Sequence, residues 1–324
     1  MDINKIHLGD WTTNQLEDKS VQLIIADPPY FEVKGEFDFV WNSFDDYLKD
    51  VEKWAIECKR VLSDNGTLFW YGDANKIAYS QIIFDKYFNL LNSLVWRKKD
   101  SMQYQYYSPD LARSFNTHNE RILMYDNGED KSGNERIFDD PKLFMPIKIY
   151  FDNWLEQSGL TLKEALNKIG SSCRHWFGFS KSNKTQFSFP TLEKWQIMEE
   201  IFPNRKEYEE LRKEYEELRK EYEELRRFFY NPHKFEEVLE FSQESHITRK
   251  YNHDTKKPET LTRALIQTCS RKGDLVLVPF AGSGTECAMA AKEGRDFIGF
   301  DIEQKYVDMS NARCSEHLKQ TTLF

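Results

Sequence analysis

The sequence alternates strand and helix near both of its ends and breaks that alternation in the middle, which restricts the chain to a sheet assembled from two separated segments. Residues 3 to 8 and 21 to 26 (VQLIIA) are short apolar runs. The second is almost continuous, as expected of a parallel strand covered on both faces. Residues 44 to 62 then place Tyr47, Leu48, Val51, Trp54, Ala55, Cys58, Val61 and Leu62 on one helical face. DNGTLFWYG follows as turn and strand, a helix is expected near 74 to 86, and a strand at 90 to 96. After RILMYDNG at 121 to 128, the polar stretch DNGEDKSGNER interrupts the pattern. It resumes with a helix at 259 to 270, a strand at 274 to 280, a helix at 284 to 293 and a strand at 297 to 302. The expectation is a doubly wound α/β domain from residues 1–128 and 250–324, with an insert at 129–249. A chain of 324 residues has room for both, since single cores tend to divide beyond ~250 residues.

Within the insert, KEYEELRKEYEELRKEYEELR repeats every seven residues. Tyr208, Leu211, Tyr215, Leu218, Tyr222 and Leu225 alternate at steps of three and four, so a long helix over about 203–230 is expected, begun at Pro203 and stopped by Pro232. Glu209 and Lys213, Glu216 and Lys220, and Glu223 and Arg227 are acid-before-base pairs one turn apart, each worth ~0.2–0.5 kcal/mol. Two readings of the apolar seam stand. It packs as one stripe on its own protein, or it pairs with a partner helix or a second copy to make a homodimer.

The stretch VLVPFAGSGTECAMAAKEGRDFIGFDI carries a strand into a loop with Gly282 and Gly284, then a helix, then a strand ending at Asp301. Glycines let the backbone approach a ligand, and an acid closing the next strand can accept hydrogen bonds from both hydroxyls of a ribose. A Gly-x-Gly by itself is often only a tight turn; with strand, helix and acid around it the pattern reads as a site for an adenosine-containing ligand.

At residues 25 to 31 the chain reads IADPPYF. Proline cannot donate to a sheet ladder, so Pro28 and Pro29 end the strand and stiffen the loop. An ordinary strand-ending turn would also account for them. The functional reading is that Asp27 and the Pro28 carbonyl accept hydrogen bonds from an exocyclic amine while Tyr30 offers its ring to a flat base.

Taken together, DPPY at 27–30 and PFAGSGT at 279–285 resemble the amino-methylating DNA methyltransferases, which transfer a methyl group from S-adenosyl-L-methionine to adenine N6 or cytosine N4. The order of the two motifs is similar to that of the permuted beta class, and the resemblance covers roughly residues 1–128 and 250–324. It implies a Rossmann-like methyltransferase sheet with an inserted, mainly helical target-recognition region. Catalysis falls to Asp27, Pro28, Pro29 and Tyr30. Asp10 would meet the cofactor adenine, Phe280, Gly282, Ser283, Gly284 and Thr285 its methionine part, and Asp301 its ribose. HDTKKPETLTRALI at 253–266 is similar to the motif that precedes the glycine loop and adds Thr255 and Lys257; a lysine there is otherwise a solvated charge. The implied substrate is double-stranded DNA with the target base flipped out, and restriction-modification members of the class have a cognate restriction endonuclease. This chain departs from the pattern in having Val278 where an acid is usual and Glu286 where a second threonine is common. Cytosine N4 members more often carry serine in place of Asp27. Adenine N6 is therefore the expected target, cytosine N4 the alternative, and a non-catalytic DNA-binding protein on this fold a third reading.

The net charge of −9 opposes a nucleic-acid partner only weakly, because the heptads hold nine Glu against three Arg and three Lys and leave −6 elsewhere. Basic and aromatic residues interleave at 96 to 118, and Arg174, His175, Lys181, Asn183, Lys184 and Gln186 of the insert are further candidates for DNA contact. The five cysteines are scattered without metal-ligand spacing, which suggests reduced thiols and no metal. A cytoplasmic location is expected, since no apolar run approaches the ~18 residues of a membrane span.

Overall fold

Strand β2 (Val21–Ala26) lies inside an eight-stranded sheet, and its sequence explains the layers on either side. Leu23 and Ile25 point into one core, while Val21, Ile24 and Ala26 point into the other. From Leu23 onward this is the period-two alternation of a strand covered on both faces, with Val21 out of phase across a register shift in the pairing to β3. The computed structural model describes residues 1–33, 38, 40–99, 118–128, 145–177, 189–201, 206–225, 227–243 and 256–321.

Before β2 comes the short strand β1 (Lys5–Leu8). After it run helix α1 (Phe44–Val61), β3 (Leu62–Gly72), α2 (Ile77–Phe84), β4 (Asn89–Lys99) and β5 (Asn119–Asp126). Ser43 caps α1 by accepting a hydrogen bond from the Asp46 backbone amide, with Asp45 and Asp46 in the first turn and Lys59 and Arg60 in the last, as the helix dipole favours. Later in the chain are β6 (Val238–Ser242), α7 (Glu259–Cys269), β7 (Leu275–Val278), α8 (Thr285–Lys292), β8 (Asp296–Asp301) and α9 (Gln304–Thr321). The strand order is β1-β8-β7-β2-β3-β5-β4-β6. β1, β8, β7, β2 and β3 are parallel neighbours, β5 is antiparallel to both β3 and β4, and β6 is parallel to β4. Residues of α1 and α2 enter one core, and residues of α7, α8 and α9 enter the other. The doubly wound α/β architecture expected from the sequence is therefore present.

The chain divides into two compact units, residues 1–131 with 227–324 and residues 132–226. The second unit is narrower than the insert read from the sequence at 129–249, because residues 227–243 contribute β6 to the sheet of the first. The Tyr230 amide donates to the Thr268 carbonyl at 2.8 Å, and Arg271 lies 5.0 Å from the Phe228 ring. These contacts bind the returning chain to α7.

The described elements of the second unit are helical: α3 (Met145–Ser158), α4 (Leu162–Ile169), a 3-10 turn at Ser171–Trp176, α5 (Leu192–Ile201) and α6 (Tyr208–Leu225). Helix α6 is the heptad segment, and it is shorter than the expected 203–230. Residues 206–207 and 227–230 are not helical, and Pro203 lies outside the described residues. Arg227 is past the helix end, so it no longer has the helical spacing from Glu223 that the sequence suggested; Lys213 turns to Glu217 at 3.9 Å instead of Glu209. The seam faces its own unit. Tyr208, Leu211 and Tyr215 are buried in one cluster with Trp154, Trp195 and Met198, and Leu218 packs against it. Tyr208 meets Trp195 edge to face at 5.4 Å, and Phe189 stacks on Tyr215 at 5.2 Å. The first reading of the heptads, a stripe packed on the same protein, describes these residues.

Leu211→Ala should therefore cost the helical unit ~2–5 kcal/mol, whereas Glu210→Ala on the exposed side should change stability by less than ~0.5 kcal/mol. Urea unfolding followed by tryptophan fluorescence distinguishes them. Equal effects would show that the seam carries no packing.

Candidate active site

Sheet direction decides which residues meet. The five parallel strands end at one edge, where β1 delivers Gly9 and Asp10, β2 delivers Asp27, β7 delivers Pro279, and β8 ends on Asp301. The chain moves from β2 to β3 on one side and from β7 to β8 on the other, so loops diverge between β2 and β7 and leave a crevice at the switch point. A cavity of about 620 Å³ occupies it, a size usual for small-molecule sites. Because β5 is antiparallel, its first residues reach this same edge. Glu120 therefore lines the cavity beside Asp27.

The deepest polar feature is a chain of charges. Lys257, 5 % exposed, lies 2.8 Å from Asp27 Oδ2 and 2.9 Å from Glu120 Oε2, and Lys98 lies 2.7 Å from Glu120 Oε1. Tyr30 Oη donates to Asp27 Oδ1 at 2.8 Å, and the Tyr30 amide donates to Asp38 Oδ1 at 2.6 Å. The Lys257 ammonium also lies 5.1 Å from the Tyr71 ring centroid and 5.6 Å from that of Tyr30. Burial works against the Lys257 charge, but Asp27 and Glu120 outweigh it and raise its pKa. Burial likewise opposes ionisation of Glu120, yet Lys257 and Lys98 bring it down to about 2. For Asp27 burial dominates and moves the carboxyl upward, with Lys257 opposing. Lys257 is thus the counter-ion that keeps two buried carboxylates compatible.

The opposite wall is the glycine loop. The Gly282 amide donates to Asp301 Oδ2 at 2.9 Å, and the Glu303 amide donates to Asp301 Oδ1 at 2.9 Å. Gly284 has φ 67°, and a Cβ there would lie 2.6 Å from Ser310 Cβ, so both conformation and space require glycine. Arg313 on α9 fastens the loop from behind. Its Nη1 donates to the Ser283 carbonyl and to Thr285 Oγ1, each at 2.9 Å, and its Nη2 pairs with Glu259 at 2.6 Å. Phe280 is set edge-on to Trp54 at 5.0 Å and to Trp11 at 6.1 Å, giving the cavity an aromatic side.

Of the residues singled out in the sequence, Asp10, Asp27, Pro28, Pro29, Tyr30, Lys257, Phe280, Gly282, Ser283 and Asp301 line this cavity. Gly284 and Thr285 stand behind its wall, and Thr285 is fully buried. Asp10 is exposed and caps a short 3-10 turn by accepting from the Thr12 amide at 2.9 Å. Thr255 lies outside the described residues, as do residues 100–117 and the insert's Lys181, Asn183, Lys184 and Gln186. Lys257 is no solvated charge, and Lys98, one of the basic residues at 96 to 118 considered for DNA contact, pairs with Glu120. Glu120, Asp38 and Arg313 were not found from the sequence. For Glu120 the available signal was an acid opening the apolar strand NERILMYD.

The fold and this edge are those of an α/β protein with a crevice at the switch point of its sheet, and similarity to known proteins gives its family. The profile of the N6_N4_Mtase family, DNA methylase, matches residues 21–312, and the chain belongs to that family. Among its relatives, the Type II methyltransferase M1.MboII of Moraxella bovis is 27% identical over 323 residues, covering 96% of this chain and 96% of that protein. The Type II methyltransferase M.HinfI of Haemophilus influenzae is 24% identical, covering 97% of this chain and 69% of that protein. The fold is shared with TTHA0409 of Thermus thermophilus, described as a candidate DNA modification methylase and solved with S-adenosyl-L-methionine, at a TM-score of 0.52 and 19% identity over 97% of this chain and 95% of that one. The cytosine-N4-specific PvuII DNA methyltransferase gives a TM-score of 0.52 and 13% identity over 97% and 91%.

Replacing Lys257 by Met leaves two buried carboxylates facing each other and should cost ~3–5 kcal/mol of stability, with part of the loss restored by adding Glu120→Gln. The contribution of Glu120, whose pKa is lowered to about 2, is present above the unfolded carboxyl value of 4.5 and is lost as pH falls toward about 2. The gap between wild type and Lys257→Met, measured by denaturant unfolding, should therefore narrow on acidification from pH 5. A gap that widens would contradict the assignment.

Proposed function

We propose that this chain is a site-specific DNA methyltransferase that uses S-adenosyl-L-methionine to methylate N6 of a flipped adenine. The observation that carries the reading is the Asp27 carboxylate, fixed at the β2–β7 crevice by Lys257 and Tyr30 within one cavity with the glycine loop and Asp301. The cavity suits the methyl donor in its parts. Trp54 and Phe280 offer an aromatic surface, Asp301 an acid beside the loop amide of Gly282, and Glu286 an unpartnered carboxylate oxygen.

An exocyclic amine conjugated with its ring is a weak nucleophile. Tyr30 and Lys257 each engage one oxygen of Asp27, which leaves lone pairs on both for an incoming N–H. Lys257 opposes the effect of burial on Asp27 and so favours its acceptor form. Drawing the amine out of its ring plane concentrates the nitrogen lone pair toward the cofactor side of the cavity, and the amine's extra proton passes to solvent as the new N–C bond forms. The bound cofactor supplies an electrophilic methyl on a positively charged sulfur, which departs as a neutral thioether. The protein's share is positioning and electrostatics. Tyr30, immobilised at its amide and its hydroxyl, offers a ring that partly offsets the few kcal/mol of base flipping.

Asp27, where cytosine N4 members more often have serine, supports adenine; the fold shared with a cytosine-N4-specific enzyme keeps cytosine N4 as the alternative. The second unit, which carries the exposed Arg174, takes the role of target recognition. The Type II relatives support a restriction endonuclease of the same specificity as partner.

Transfer of a tritiated methyl group to mixed-sequence DNA, followed by nucleoside analysis, should yield N6-methyladenine. N4-methylcytosine would decide for the alternative. Asp27→Ala should abolish transfer while leaving cofactor binding intact, and near-normal turnover would remove Asp27 from catalysis. Asp301→Ala should weaken cofactor binding by ~1.5–3 kcal/mol, the usual loss for charge-assisted hydrogen bonds. An unchanged dissociation constant by calorimetry would place the ribose elsewhere.

A further inference from the structure

Glu286 is an acid in this cavity to which the chemical step gives no task. It is the second residue of α8, only 6 % exposed, and lines the cavity; its Oε1 is buried without a hydrogen-bond partner. A buried carboxylate without a cation is costly. The basic groups near it are committed to other acids, since Lys257 bridges Asp27 and Glu120, and Arg313 pairs with Glu259 and the glycine loop. Among the described residues no ion pair reaches Glu286.

Resting on the methyl-donor reading above, we infer that the Glu286 carboxylate binds the α-ammonium of the donor's methionine part, so that the ligand itself supplies the missing cation. The glycine loop immediately before Glu286 lines the same cavity through Gly282 and Ser283, the residues assigned above to the methionine part. Electrostatics agree. Burial first, and then Asp27, push the Glu286 carboxyl up to about 7, with Lys257 and Arg313 opposing; Tyr71 on β3 and Cys287 beside it on α8 are the other titratable groups facing it. Below neutrality the empty site therefore holds Glu286 as the acid, and a bound ammonium draws its proton off to solvent. Affinity for a ligand with that ammonium falls as pH drops from 7.5 to 5.5, by about tenfold per unit once below the Glu286 pKa.

Calorimetry at pH 6 in buffers of different ionisation enthalpy tests this with three probes: S-adenosylhomocysteine, its analogue lacking only the α-amino group, and 5′-methylthioadenosine. Wild type should release close to one proton with the first and none with the other two. Glu286→Gln should weaken S-adenosylhomocysteine at least tenfold, abolish proton release, and leave methylthioadenosine unchanged. Unaltered S-adenosylhomocysteine binding in Glu286→Gln, or equal proton release with the desamino analogue, would overturn the inference while leaving the methyl-donor reading in place. Should Glu286→Gln fail to fold, the comparison of the two ligands on wild type decides alone. A wild type that binds none of the probes would remove the methyl-donor reading, and this inference with it.

Discussion

One ammonium holds the site together. Lys257 sits between Asp27 and Glu120, and neither carboxylate is tolerable there without it, because burial penalises each charge and each charge penalises the other. What depends on Lys257 extends beyond the pair. Asp27 anchors the Tyr30 hydroxyl, Asp38 fixes the Tyr30 backbone, and Lys98 completes the neutralisation of Glu120. The geometry of the DPPY loop is therefore set from outside the loop, by Lys257 just ahead of α7 and by Asp38.

Much of this was legible in the sequence because it depends on local pattern. VQLIIA running into DPPY reports a buried strand and the place where it stops, and the glycine loop reports a tight turn whose Gly284 packs on Ser310 too closely for a side chain. Glu120 was not legible for a different reason. An acid at the head of β5 reaches the site only because β5 runs against its neighbours, and alternation of apolar residues carries no information about strand direction. Lys257 was singled out beside the glycine loop, but its ion pairs were not legible, since its partners lie 230 and 137 positions away in the chain.

The heptads show the opposite case, a strong local pattern that underdetermines its partner. Tyr and Leu at steps of three and four demand a buried stripe but do not specify what buries it. In the structure Trp154, Trp195 and Met198 of the same unit do so. The helix also ends sooner than its repeat suggested, because Tyr230 has its backbone hydrogen bond with α7 and the chain beyond it serves as an edge strand.

The position of Lys257 in the chain has a consequence for synthesis. Asp27 and Glu120 leave the ribosome long before the residue that reconciles them, and between them and Lys257 lies the whole helical unit. A nascent chain that holds β2, β3 and β5 therefore has both acids without the cation between them, and the crevice is completed only when β7 and β8 have been made. The separation of the charges along the polypeptide acts as a built-in delay, so that a partial translation product carries the DPPY loop without the electrostatic support that sets its shape.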